Sequence, residues 1–138
     1  MRCYKNRKYI VNMPKIAIIE DDLALQLMYK TKLELEGFKV KTASNGEEGL
    51  KVVESHTPDV VLLDLRMPVM SGYEMLAQLR QTDWGSDIRV IILTNISKNE
   101  APSALRFLNV DRYIVKAHTT PGEVAKIIRE VIGASKVP

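Results

Sequence analysis

The chain has a single cysteine, Cys3, among 138 residues, so no disulfide can form within it. A chain without internal cross-links suits a reducing compartment, and the cytoplasm is the expected location. No apolar run approaches the ~20 residues that a membrane-spanning helix needs, so no membrane role is expected. Residues 1–14 lack the continuous apolar stretch of a secretory signal. No glycine-rich G-x-G-x-x-G or Walker-type loop is present, which tells against a nucleotide binder or hydrolase on a similar sheet. The two histidines, His56 and His118, have no partners at metal-ligand spacing and are expected on the surface. Acid is missing from one end only. Residues 1–12 carry Arg2, Lys5, Arg7 and Lys8 with no Asp or Glu, so they hold +4 of a net +3 and the remainder is −1. A basic stretch with Tyr4 and Tyr9 is suited to nucleic acid or anionic lipid. The plainer expectation is a disordered N-terminal extension over 1–13, ahead of a domain at 14–134 and a short tail at 135–138.

What is present is ordinary for one globular domain: 46% hydrophobic and 27% charged residues. Apolar runs alternate with helical patterns. "KIAII" (15–19), "DVVLL" (59–63) and "IRVIIL" (88–93) read as buried strands, "KVKTA" (39–43) as one with a more exposed face, and "RYIV" (112–115) as the last. Between them lie five helical patterns. The first, 23–36, sets Ala24, Leu27, Met28, Thr31 and Leu35 on one face and stops at Gly37. The second, 46–55, is weakened by Gly49. The third, 72–80, has Ser71 as its cap. The fourth, 97–109, opens on a Ser97/Glu100 capping box, takes Pro102 early and closes on Asn109. The fifth, 120–132, turns Val124, Ile127, Ile128 and Val131 inward. Five βα units with two-sided apolar strands give the α/β class, (βα)5, a doubly wound open parallel sheet.

Such sheets place their sites outside the carboxyl ends of the strands. Every polar residue of interest sits at such an end: Glu20, Asp21 and Asp22 after the first strand, Asp64 after the third, Thr94 after the fourth, Lys116 after the fifth. Converging carboxylates repel by ~4 kcal/mol per pair at 4 Å and an effective dielectric near 20. A cation must offset this, and hard oxygen donors suit Mg²⁺. Lys116 adds an ammonium suited to phosphate and Thr94 a hydroxyl. A carboxylate nucleophile with these neighbours is equipped for phosphoryl transfer.

The residues "IIEDD", "VVLLDLRMPVMSG", "VIILT" and "YIVK", in this order and spacing, resemble the receiver domain of bacterial two-component response regulators over about residues 14–134. The resemblance implies the flavodoxin- or CheY-like strand order 2-1-3-4-5, borrowed from that family rather than derived. It implies that Asp64 is the phosphoacceptor and that Mg²⁺ is held by Asp21, Asp64 and the Arg66 backbone carbonyl, with Glu20 acting through water. Thr94 and Lys116 would bind the phosphoryl group, Tyr113 would move with Thr94, and Asp22 would be secondary. The implied partners are a sensor histidine kinase or phosphotransfer protein and a downstream effector, reached through the face of the fourth helix, fifth strand and fifth helix. Asp111, Arg112 and Arg129 on the last elements are candidates for a phosphorylation-dependent homodimer. No direct nucleic-acid contact and no membrane contact is implied for the domain. It would not be an enzyme beyond its own phosphotransfer and autodephosphorylation, and output would pass to another protein, a relay step or a further domain. Two positions depart from the pattern. Asn95 stands where the family has a small residue, which would slow access of water or a small donor. Ala117 stands where the family has a proline after a cis bond, so this peptide is either trans in a different loop or cis and held by its surroundings. These departures are the support for an alternative, a phosphate-independent, receiver-like interaction module.

Overall fold

β-Branched and leucine-rich runs form five strands: β1 (Lys15–Ile19), β2 (Lys39–Ala43), β3 (Val60–Leu63), β4 (Arg89–Thr94) and β5 (Arg112–Val115). All neighbours are parallel, in the order β2-β1-β3-β4-β5. Helices α1 (Leu23–Leu35), α2 (Gly46–His56), α3 (Gly72–Arg80) and α4 (Pro121–Gly133) complete the α/β architecture. The computed structural model describes residues 13–134. Apart from Met13, the expected basic extension and the expected tail lie outside the described residues.

Because strand side chains alternate, the sheet feeds two cores. Ile16, Ile18, Val60, Leu62, Ile91 and Leu93 point to one side, where Tyr29 and Leu33 of α1 and Val124, Ile128 and Val131 of α4 cover them. Ala17, Ile19, Val61, Leu63, Val90 and Ile92 point to the other, against Val53 of α2 and Met75, Leu76 and Leu79 of α3. The inward set read for the last helix holds, with Ile127 half-buried at the margin.

The inward face of α1 differs from the sequence reading. Tyr29 and Leu33 are buried, with Leu25 packed beside them, while Leu27, Met28 and Leu35 are exposed, Leu35 at 81%. Leucines surround this helix, so two stripes satisfy the same period. The chosen one ends in Leu33 and a Gly37-based cap. The Phe38 amide bonds the Leu33 carbonyl and Gly37, at φ 98°, bonds Glu34. That Schellman turn folds Phe38 into the core beside Leu33.

The fourth helical pattern is also corrected. Residues Lys98–Glu100 and Ser103–Phe107 form two short 3-10 turns, not an α-helix. Pro102 has no amide hydrogen and crowds the residue before it, and Ala101 is extended at ψ 153°. Ser97 makes no capping bond; its hydroxyl instead donates to the Glu100 carboxylate at 3.0 Å. Asn109 does take the left-handed conformation. The half-buried Arg80 guanidinium ties this segment down, donating to the Leu108, Asn109 and Ile88 carbonyls.

His56 is corrected as well. It lies at the end of α2 with only 9% exposed, not on the surface, and its Nε2 has no hydrogen-bond partner among the described residues. No cis peptide occurs among the described residues, so the bond between Lys116 and Ala117 is trans, and a 3-10 turn over Lys116–His118 forms the last loop.

Candidate functional site

Register builds the site. Ile19 lies opposite Leu63, so the next residues, Glu20 and Asp64, leave neighbouring strands side by side. Ladder bonds continue past the strand ends, from the Asp64 amide to Ile19 and from the Glu20 amide to Ala43, both at 3.0 Å. Leu63 faces Ile92, and Thr94 pairs with Val115, which brings Thr94 and Lys116 to the same edge. Carboxylate oxygens of Glu20, Asp21 and Asp64 all lie within 4.8 Å of one another. Glu20, Asp64 and Thr94 are buried, whereas Asp21 is exposed.

Lys116 compensates this charge. Its ammonium bonds the Glu20 carboxylate and sits 3.1 Å from Asp64 Oδ2, with only 9% of its side chain exposed. Burial works against the ammonium, but the Glu20 bond and the charges of Asp64 and Glu20 outweigh it, and its pKa is raised. Burial also raises the pKa of Glu20, against the bonds from Lys116 and the Asp22 amide. At the acid desolvation wins; at the ammonium pairing wins.

Asp22 has another task. It caps α1, accepting from the Ala24 and Leu25 amides, and is not in the converging set. The loop after Asp64 is fixed from both ends. The Arg66 amide bonds Asp64 Oδ1 at 3.2 Å, and Ser71 and Glu74 form a full capping box on α3. Gly72 packs so closely that a Cβ there would stand 1.9 Å from the Asp64 carbonyl oxygen, so only glycine brings α3 this near. Val69 in the same loop holds φ 68°, a costly conformation for a β-branched residue. Arg66 and Asp21 line one opening of the loop.

A second opening, a cleft of about 380 Å³, is lined by Asp64, Arg66, Thr94, Asn95, Ile96 and Lys116, and also by Glu100. Glu100 was not among the residues read as functional, because the sequence places it inside a helix. The Tyr113 hydroxyl donates to the Ile96 carbonyl at 2.6 Å, which pins the loop after β4. Arg112 and Arg129 are both engaged within the chain, with Glu130 and Glu36, and Asp111 accepts from the Val90 amide. Trp84 lines a separate hollow with Leu50 of α2 and Gln78 of α3.

Three oxygen-bearing acids are a donor set that fits a hard divalent cation such as Mg²⁺. With Lys116 and Thr94 beside them, the arrangement offers an ammonium and a hydroxyl to an anionic ligand. No described helix is long and apolar enough to cross a membrane.

Comparison with known proteins agrees with this geometry. The Response regulator receiver domain family matches residues 16–129. The phosphate regulon transcriptional regulatory protein PhoB of Rhizobium meliloti is 35% identical over 117 residues, covering 83% of this chain and 51% of PhoB. The chain thus spans about half the length of the curated relatives it matches. A CheY-like receiver domain protein from Methanospirillum hungatei superposes with TM-score 0.78 at 28% identity, covering 88% of this chain and 94% of that one. The receiver domain of the sensor histidine kinase PA1611 from Pseudomonas aeruginosa, solved with a magnesium ion in its active-site cleft, shares the fold at TM-score 0.77 and 23% identity, covering 89% of this chain and 100% of that one. The order of the strands, the acids gathered at their carboxyl ends and the family match over most of the chain lead to one conclusion: it belongs to the response regulator receiver domains, the phosphorylation-dependent signalling modules of two-component systems.

Proposed function

We propose that this chain is a phosphorylation switch that takes a phosphoryl group from a phosphohistidine, on a sensor histidine kinase or a phosphotransfer protein, onto Asp64. The observation that carries the reading is the convergence of Glu20, Asp21 and Asp64 around an ammonium that already bonds two of them. An Asp64 oxygen attacks phosphorus, the phosphorus–nitrogen bond breaks, and the imidazole nitrogen keeps the electron pair. Asp21, Asp64 and the Arg66 carbonyl would hold Mg²⁺, with Glu20 through water, and the ion would supply charge neutralisation at the phosphoryl oxygens. Lys116 exchanges one carboxylate for a phosphoryl oxygen, and the buried Thr94 hydroxyl donates to another. The group adds roughly −2 of charge near pH 7. As Thr94 turns, Tyr113 leaves the Ile96 carbonyl, and the surface of residues 98–107, β5 and α4 changes shape for an effector protein. A phosphorylation-dependent homodimer through Asp111, Arg112 and Arg129 requires release of the internal bonds those residues now make. The domain, residues 14–134, contacts no nucleic acid itself, works in the cytoplasm and catalyses only its own phosphotransfer and dephosphorylation.

The phosphate-independent reading finds less support, since the complete acid set and Lys116 are in place despite Asn95 and Ala117. Incubation with a phosphohistidine donor and Mg²⁺ should yield a hydroxylamine-labile acyl phosphate, lost in Asp64→Asn. An unlabelled wild-type chain, or a label that survives Asp64→Asn, overturns the proposal.

A further inference from the structure

Glu100 places another negative charge at the mouth of the Asp64 cleft. It is outside the set of acids that could share a metal ion, and it takes part in none of the ion pairs among the described residues. Its only side-chain hydrogen bond among those residues comes from the Ser97 hydroxyl, 3.0 Å away. Lys98, two residues earlier in the same 3-10 turn, lines a different cavity of about 650 Å³ with Ala101, Arg106 and Tyr113. The turn therefore stands between the phosphoacceptor cleft and a groove on the outer surface. It is lightly held, by a 3.0 Å bond from the Glu100 amide to Ser97 and a 3.4 Å bond from Ala101 to Lys98, and the chain beyond it is extended into Pro102. Tyr113 spans the same divide. It borders the groove, bonds the Ile96 carbonyl, and its phenol pKa is raised by burial and then by the charges of Asp64 and Glu100.

We propose that Glu100 is the charge sensor of this switch: negative charge arriving on Asp64 repels its carboxylate and drives the 98–100 turn out of the cleft and toward the groove. The proposal rests on the phosphoacceptor reading of Asp64 and adds a second route by which charge at the cleft reshapes the outer surface. Asp64 and Glu100 face one small cleft whose cations are Arg66 and Lys116, so negative charge added to Asp64 must be screened by these or separate from Glu100. The 98–100 turn belongs to neither an α-helix nor a strand.

The test compares wild type with Glu100→Gln, using beryllofluoride and saturating Mg²⁺ as the phosphoryl mimic. Glu100 is exposed, so the variant retains the fold. Glu100→Gln should bind beryllofluoride about three- to tenfold more tightly at low salt, an advantage that shrinks as ionic strength rises. The amide NMR shifts of Lys98 and Ala101 on binding should be smaller in the variant than in wild type, while those of Thr94 persist. Equal affinities at low salt, an advantage indifferent to salt, or undiminished shifts at 98–101 overturn the charge-sensor role and leave the phosphoacceptor reading standing. A wild-type protein that does not bind beryllofluoride at all overturns both.

Discussion

Lys116 keeps an ammonium between two carboxylates that are about as deeply buried as it is. Removing one member of such a cluster leaves uncompensated charge in a poorly solvated place. Lys116→Met should therefore destabilise the metal-free protein by about 3 kcal/mol at neutral pH. Added Mg²⁺ should recover part of that loss, because it supplies positive charge to the same oxygens. Urea denaturation with and without Mg²⁺ reads both numbers, and a variant as stable as wild type without the ion would contradict the buried pair. His56 works in the opposite sense. Burial holds its imidazole below the usual value of 6.5, with Lys15, Lys41 and Lys39 adding to the shift and a bond to the Lys39 backbone opposing it. The unfolded chain takes up this proton first as pH falls. Stability is thus fully present above about pH 6.5 and declines as pH drops toward the folded value. His56→Leu should flatten the dependence of melting temperature on pH between about 7 and 5, measured as the difference from wild type.

Among the elements, the crossover between β4 and β5 is set by one residue. Most of 97–109 suits a helix, yet Pro102 costs about 3 kcal/mol in a helix interior and forces Ala101 to extend. Pro102→Ala should convert much of 98–107 to α-helix, seen as stronger far-UV helical signal and as new i to i+4 amide protection in that segment. No gain in helicity would mean that the Arg80 bonds to Leu108 and Asn109, not the proline, hold the two turns. At this scale the outcome also bears on Glu100, since an α-helix would carry it on a stiffer support than a three-residue turn.

At the scale of the whole molecule, the acids that converge come from the ends of β1 and β3, neighbouring strands at the middle of one five-stranded sheet. A cation bridging them ties together segments that separate only when the sheet unfolds. Mg²⁺ at about 100 times its dissociation constant should therefore add about 2.7 kcal/mol to unfolding. The shift should be the same by far-UV signal as by fluorescence of Trp84, which lies after α3 and away from the converging acids. A shift in one probe alone would indicate that the site edge unfolds separately. Much of this was readable along the chain. Apolar runs ending in Glu20, Asp64, Thr94 and Lys116 mark strand ends by local pattern, because a run of that length must be buried and a polar or charged residue marks its exit. The caps at Asp22, Ser71 and Thr120 are likewise local, each bonding amides two or three residues away, though of these only Ser71 is singled out as a cap by the sequence. Facing is not local. Two stripes of α1 have equal claim on the core, and only the shape of the sheet beneath chose Tyr29 and Leu33 over Leu27 and Leu35. His56 is buried because α2 packs against β2, and Glu100 meets the cleft from a 3-10 turn that the helical pattern of 97–109 does not announce. The sequence by itself determined which residues stand at the ends of strands and what chemistry they carry. Only the tertiary structure decided that Lys116 divides itself between Glu20 and Asp64 and which polar groups lose water, because desolvation and charge pairing depend on distances between segments that no local pattern contains.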